Sequence, residues 1–359
     1  MYSPLRHIGS IFWKRKAIHL TFFVTRRCNL RCPFCFYLAG AAPPGPEAPE
    51  LSLDEVRQIS LSLGHLLWLA FSGGEIFLRD DIVEISRIFY ENNKPVIMLY
   101  PTNGQLPDII RDGVEQILEH CQKSVIVVKL SLDGLNGAHD ALRNQPGCFE
   151  KTMETYHLLG DFLGRYPHFE LGINTVLCSE NQGEMDGIID FVRGLRHVTT
   201  HTISLIRGNL LDESYKKVDP KHYEHAIDRL ENNLKTTGSQ IYRFRGARLK
   251  AAQDILQRRL IHRTLLAQEG LTPCYAGRLN LVLGETGEVY PCETLTESFG
   301  NVRDYDCDMG RIVRSARARA VLESIERARC HCTHECYFMT NILFNPRWYP
   351  TLLREYLRL

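Results

Sequence analysis

Leu20-Thr21-Phe22-Phe23-Val24 runs into Thr25-Arg26-Arg27-Cys28-Asn29-Leu30-Arg31-Cys32-Pro33-Phe34-Cys35-Phe36, an apolar stretch joined to a loop with three cysteines. Consecutive apolar and β-branched residues are the pattern of a strand buried on both faces. The loop spacing is C-x3-C-x2-C. Three thiolates on one tight loop can hold three irons of a cubane cluster. No fourth cysteine is near, so one iron stays open to another ligand. Zinc wants four ligands, or three and a water, and His, Asp and Glu are all missing between Thr25 and Tyr37.

Outward from this stretch, strand-like runs recur at Leu67 to Phe71, Val96 to Leu99, Val125 to Leu130, Leu171 to Leu177 and Thr202 to Leu205. Helical patterns lie between them, at Leu53 to Leu63, Asp81 to Asn92, Gly113 to His120, Glu150 to Arg165 and Met185 to Arg193. Ser52, with Glu55 three residues on, predicts a capping box. Such repeats predict an α/β chain with a parallel sheet and right-handed crossovers. Chemistry in such sheets sits at the C-terminal ends of the strands.

With 359 residues, 44% of them hydrophobic, the chain can bury one barrel-sized domain and a smaller appendage. Its 43 basic and 42 acidic residues leave a net charge of +1, without the basic excess of a nucleic-acid binder. Lys14-Arg15-Lys16 reads as a solvated N-terminal segment. No apolar stretch reaches the roughly 18 residues of a membrane span, and no signal-peptide layout is present. The expectation is a soluble cytoplasmic protein. Of the 12 cysteines, three lie between Cys28 and Cys35 and six between Cys274 and Cys336. Clustering of this kind favours metal ligation over disulfides. Cys121, Cys148 and Cys178 stand alone and read as small buried apolar residues.

Other motifs follow the predicted strands. Phe71-Ser72-Gly73-Gly74-Glu75 has two glycines that let the backbone approach a ligand. Thr102-Asn103-Gly104 and Ser131-Leu132-Asp133-Gly134 put hydroxyl and carboxylate groups at strand ends, where they suit a ribose; Asp133-Gly134 also reads as an ordinary turn. Asn174 is a polar residue in a buried strand and needs a partner. Ser204 and Arg207 end the sixth run, and Arg207 pairs either with a ligand carboxylate or in a plain salt bridge. Arg143 has the same two readings. The Pro/Gly-rich stretch 39–49 either covers the site or connects. Residues 212–271 read as a charged helical connector, and Leu279 to Tyr290 as a hairpin.

The cysteine loop with Phe36 after its last cysteine, and the Gly-Gly-Glu turn, resemble the radical S-adenosylmethionine (SAM) superfamily from Leu20 to about Arg207. The resemblance implies a partial (β/α)6 TIM-like barrel. It implies that SAM chelates the open iron through its amino and carboxylate groups. One electron then cleaves SAM to methionine and a 5′-deoxyadenosyl radical, which takes a hydrogen atom from substrate. The implied SAM-binding residues are Phe36, Gly73, Gly74, Glu75, Thr102, Asn103, Ser131, Asp133, Asn174, Ser204, Ile206 and Arg207. The Gly-Gly-Glu turn would receive the ammonium group, and Leu205 and Ile206 would pack on the adenine.

Cys274 and Cys292 flank the hairpin, and Cys330-His331-Cys332-Thr333-His334-Glu335-Cys336 follows. This arrangement, with Gly287-x4-Cys292, resembles the SPASM or twitch modules of radical SAM enzymes. A full SPASM module has seven cysteines. Here there are six, counting Cys307, and the C-x-C-x3-C spacing differs. The resemblance therefore implies one auxiliary 4Fe-4S cluster on four of Cys274, Cys292, Cys330, Cys332 and Cys336. On ligand types alone, zinc held with His331 and His334 is the alternative.

The expected layout is an N-terminal segment 1–19, a core 20–210, a connector 211–272, an auxiliary-cluster module 273–341 and a tail 342–359. The expected activity is radical oxidation or cross-linking of a peptide or small molecule, aided by the auxiliary cluster. A radical SAM epimerase or isomerase on a sugar-like substrate is the alternative, and a zinc-binding scaffold a third. An external donor of flavodoxin or ferredoxin type is implied. Only about 20 residues precede the first strand, so no fused leader-peptide-binding domain is expected. Glu285, Glu288, Tyr290 and Asp212 can act as bases, and none is assigned.

Overall fold

The computed structural model describes residues 1–38, 49–237 and 242–359. Among the described residues, nine strands form one open sheet: β1 (His19–Thr25), β2 (Trp68–Gly73), β3 (Ile97–Thr102), β4 (Val125–Ser131), β5 (Phe169–Leu177), β6 (Thr200–Leu205), β7 (Asn280–Leu283), β8 (Glu288–Tyr290) and β9 (Gly300–Asn301). Their order is β6-β5-β4-β3-β2-β1-β7-β8-β9. β1 to β6 are parallel, with Leu20 opposite Leu69 and Leu99 opposite Val127. The six runs read from the sequence are these strands.

The alternation of strand side chains divides the core. Leu20, Phe22, Leu69, Phe71 and Tyr100 pack under the crossover helices. Phe22 meets Phe89 edge-on at 6.0 Å, and Phe71 lies 4.9 Å from Tyr100. Burying one such side chain contributes roughly 1.5–3 kcal/mol. Trp68, Ala70, Ile97, Val125 and Val127 point the other way, and pack with Tyr275, Met339 and Phe344.

Helix Leu53–Ser62 starts with the expected capping box, both halves formed between Ser52 and Glu55. The third helix begins at Pro107 rather than Gly113, because proline is well placed where the backbone N–H has no partner anyway. The stretch expected as one helix to Arg165 divides at Asp161 into Cys148–Gly160 and Phe162–Arg165. Helix Gly137–Arg143 was not expected; seven residues show too little periodicity to read.

The connector contains helices Pro220–Thr237 and Ala247–Ala267. The second spans the concave side of the sheet: Arg258 donates to the His201 carbonyl of β6 at 3.3 Å, and Lys250 lies over the Trp68 ring of β2 at 6.0 Å. Residues 342–359, expected as a tail, include helix Tyr349–Arg358. It is fastened to helix Ala247–Ala267 by Arg259 and the buried Glu355 at 3.1 Å.

The hairpin after Cys274 forms as expected, but it extends the barrel sheet. β7 lies parallel beside β1, His19 opposite Asn280 and Phe22 opposite Leu283, and β8 and β9 continue antiparallel. Cys121, Cys148 and Cys178 are buried. Residues 39–48 of the Pro/Gly-rich stretch lie outside the described residues. No described helix is long and apolar enough to cross a membrane.

Candidate active site

A cavity of about 370 Å³ opens at the C-terminal ends of β1 to β6 and runs down the concave side, a size usual for a small-molecule site. Cys28, Cys32 and Cys35 line it together. So do Phe36, Gly73, Gly74, Thr102, Asn103, Ser131, Asn174, Ser204, Ile206 and Arg207. The residues singled out around the first cysteine loop thus converge on one space, with two exceptions.

Glu75 and Asp133 do not line the cavity. Glu75 is buried, and accepts from Asn103 N at 2.8 Å, the Thr102 hydroxyl at 2.9 Å and Phe77 N at 3.2 Å. It braces the ends of β2 and β3, and burial pushes its carboxyl up to about 6. Asp133 is fully buried; it accepts from Val176 N at 2.7 Å and pairs with Arg143. Its oxygens are committed to the protein, which removes it as a ribose contact.

Arg207 also has protein partners. Its guanidinium lies 3.1 Å from Glu335 and 3.9 Å from Glu293, over the Phe36 ring at 5.8 Å. It makes a salt bridge in the cavity wall, where the sequence left a ligand carboxylate open.

The two glycines after β2 seat the cysteine loop. Gly74 N donates to the Thr25 carbonyl and Glu75 N to the Arg27 carbonyl, both at 2.9 Å. Gly73 has φ +131°, and a Cβ there would lie 2.3 Å from the Thr25 oxygen. A Cβ on Gly74 would lie 2.1 Å from the Arg27 oxygen. Side chains are excluded so that the turn and the cysteine loop can touch.

The donor set fits an iron-sulfur cluster. Leu30 N donates to the Cys28 sulfur and Leu38 N to the Cys35 sulfur, each at 3.4 Å. Asn103 Nδ2 is 3.9 Å from the Cys28 sulfur, and Arg143 Nη1 is 3.9 Å from the Cys32 sulfur. Donors aimed at thiolate sulfurs stabilise an anionic cluster and tune its potential. Burial pushes the Cys28 thiol up to about 11 and raises Cys32 despite Arg143. A bound metal reverses that preference, because the thiolate is the ligand. Among the described residues no three or more His, Cys, Asp or Glu side chains converge closely enough to hold a single ion.

The later cysteines divide. Cys274, Cys292, Cys330 and Cys332 line one small pocket with Ala276, Leu295, Tyr337 and Phe338. Burial raises all four thiols, Cys274 to about 11 and Cys332 to about 12. Cys336 lines the main cavity instead. Burial and Glu293 push it up to about 12. Cys307 is buried and lines neither space.

Several cavity residues escaped the sequence reading. Glu293 and Glu335 line it beside the second cysteine group, with His334, which the sequence offered only as a zinc ligand; His334 Nε2 lies 2.7 Å from Glu293. Burial opposes the Glu293 charge, but His334 and Arg207 hold its carboxyl at about 2. Lys129, Lys250, Asp254 and Arg258 line the far end. Lys129 is buried over Gly172, bonded to the hydroxyls of Thr200 and Thr202, and burial lowers it to about 7. Lys129 was legible as the single charge in an apolar strand. Of the candidate bases, Glu285 is bonded to Arg26 at 2.9 Å and to Tyr37, and none of Glu285, Glu288, Tyr290 and Asp212 lines the cavity.

Residues 22–192 match the sequence profile of the radical SAM superfamily. The chain is 29% identical over 299 residues to an AdoMet-dependent heme synthase of Methanosarcina barkeri, covering 78% of each protein. It is 34% identical over 148 residues to AlbA of Bacillus subtilis, an antilisterial bacteriocin subtilosin biosynthesis protein, covering 40% of this chain and 31% of AlbA. The crystal structure of Streptococcus suis SuiB bound to SAM superposes with a TM-score of 0.61 at 16% identity, over 92% of this chain and 75% of SuiB. These likenesses set aside the non-enzymatic zinc scaffold. The chain carries a radical SAM domain over residues 22–192 and is a radical SAM enzyme, which binds SAM and a 4Fe-4S cluster.

Proposed function

We propose that this enzyme is an oxidoreductase or maturase acting on a peptide or small molecule, with an auxiliary 4Fe-4S cluster on Cys274, Cys292, Cys330 and Cys332. One observation carries the reading: the second cysteine group and the main cavity share a wall. Cys292 leads directly to Glu293, and Cys332 leads through His334 and Glu335 to Cys336, and all four of those following side chains face the cavity. An electron leaving a substrate there has a short route to the second group. The same reading keeps 273–341 as a SPASM- or twitch-like module, although β7 joins the core sheet.

When bound, the first cluster and SAM supply a 5′-deoxyadenosyl radical that removes a hydrogen atom from substrate. The chain's own residues hold and orient. Cys28, Cys32 and Cys35 supply the thiolates. Gly73 and Gly74 bring backbone to the SAM amino acid. Ser131, Asn174 and Ser204 offer polar groups to its ribose; Ser204 donates to Asn174 at 3.2 Å. Phe36 and Ile206 give the adenine an apolar surface. Glu335 keeps Oε1 without a protein partner among the described residues, an acceptor for a proton in the cavity wall. Arg258, beside Lys250 in its pair with Asp254, suits an anionic group on the substrate.

The reading includes an external flavodoxin- or ferredoxin-type donor and a cytoplasmic location, where thiols stay reduced. The test is anaerobic reconstitution, followed by a mass-spectrometric search of peptide and heme-precursor pools. The expected result is a product lacking two hydrogens, one deoxyadenosine per turnover and about eight irons per chain. A product of unchanged mass, formed with SAM regenerated, would instead favour the epimerase or isomerase.

A further inference from the structure

The surface before β1 is one-sided in charge. Residues 1–46 contain no Asp or Glu, whereas Arg6, Lys14, Arg15 and Lys16 all precede β1. Pro4–Ile11 forms a 3-10 helix, capped by the Ser3 hydroxyl on Leu5 N. It is pinned across the N-terminal ends of the strands. Tyr2 N donates to the Lys123 carbonyl at 2.7 Å, just before β4, and Arg6 donates to the Lys94 carbonyl at 2.7 Å, just before β3. The Tyr2 ring meets Tyr90 at 5.6 Å, and His7 is buried.

That packing leaves the other side bare. Leu5 is 72% exposed, Ile8 58%, Phe12 72% and Trp13 69%. The Phe12 and Trp13 rings stand edge to face at 5.9 Å. Single exposed apolar residues are ordinary, but several on one short segment mark a contact surface. Arg6, Lys14, Arg15 and Lys16 belong to the same segment, and none of these forms an ion pair among the described residues.

We infer that this face docks the enzyme peripherally on an anionic lipid bilayer. An aromatic and aliphatic group enters the headgroup boundary, and cations around it meet lipid headgroup charges. The sign pattern favours a membrane over a protein partner: a segment without an acidic residue, whose cations have no ion pair among the described residues, complements a uniformly negative plane, whereas protein surfaces mix signs. The placement also fits catalysis. The docking segment crosses the N-terminal strand ends, and the cysteine loop and cavity mouth lie at the C-terminal ends. A docked enzyme keeps its cavity open to water.

The test is cosedimentation of the full chain with vesicles of phosphatidylcholine containing about 30% phosphatidylglycerol, and with phosphatidylcholine alone. Binding to the anionic vesicles is expected, with a blue shift of Trp13 emission. It should be at least about tenfold weaker on neutral vesicles and in ~0.5 M salt. The double variant Phe12→Ser/Trp13→Ser and the triple variant Lys14→Glu/Arg15→Glu/Lys16→Glu should each lose about tenfold, with unchanged thermal unfolding. Three results would overturn the inference. They are no binding to anionic vesicles, equal binding to both vesicle types, and a self-associated species that the Phe12/Trp13 variant abolishes in protein that ignores vesicles.

Discussion

Arg143 joins Asp133 to Cys32: one guanidinium nitrogen pairs with the buried carboxylate, and the other lies 3.9 Å from the sulfur. Burial opposes that charge, but Asp133 holds the guanidinium protonated. Arg143→Met would strand Asp133, at a cost of about 3–5 kcal/mol. It would also remove positive charge beside the first cluster, so the cluster becomes harder to reduce. Denaturant unfolding reads the first effect and a potentiometric titration followed by electron paramagnetic resonance the second. An unchanged potential would contradict the electrostatic role.

Cys32→Ala should abolish reductive SAM cleavage and lower the iron content by about four per chain. Chromatographic assay of deoxyadenosine with dithionite as reductant decides it. Sustained deoxyadenosine production would remove the cysteine loop from the radical chemistry.

The division of the later cysteines makes a paired forecast. Cys330→Ala should cost about four irons, and Cys336→Ala should keep about eight, because Cys336 faces the main cavity rather than the other four. Iron analysis of the two variants side by side is the measurement. The reverse pattern would make Cys336 a ligand and release Cys330.

Gly74→Ala forces a Cβ to within 2.1 Å of the Arg27 oxygen and 3.0 Å of the Cys28 Cβ. The contact is with backbone, so the cysteine loop must move. The variant should lose at least 2 kcal/mol or so of stability and incorporate the first cluster poorly. Wild-type stability with full iron loading would show that the turn has slack.

Glu55 links the start of helix Leu53–Ser62 to Arg303, beyond the hairpin. Arg303 and Ser52 together outweigh burial and lower its carboxyl to about 2. The unfolded value is higher, so this stabilisation is complete above about pH 4.5. It is lost as pH falls toward 2. Glu55→Gln should cost about 1–2 kcal/mol at pH 7. The gap to wild type should close through that acid window, as read by urea titrations at several pH values.

Much of this was legible in the chain. The strands were readable because Val125 to Leu130 and its counterparts are buried on both faces, and the Cys28-to-Cys35 loop because its spacing is local. What escaped was non-local. Nothing near Lys250 or Arg258 says that a charged helix will lie along the sheet's concave side. Asp133 read either as a strand-end carboxylate for a ribose or as part of an ordinary turn, because Arg143, ten residues on, could equally have faced solvent. The five later cysteines could not be divided by spacing, because side-chain direction at Glu335 and Cys336 depends on where helix Glu335–Leu343 starts.

The pairing of β1 with β7 governs when this protein can finish folding. Residue 19 leaves the ribosome early and waits for residue 280. Until then one side of β1 offers bare N–H and C=O groups to other nascent chains. Contacts this distant in sequence also slow the search for the native state. Fragments ending before residue 280 should therefore aggregate, whereas the full chain seals its own first strand.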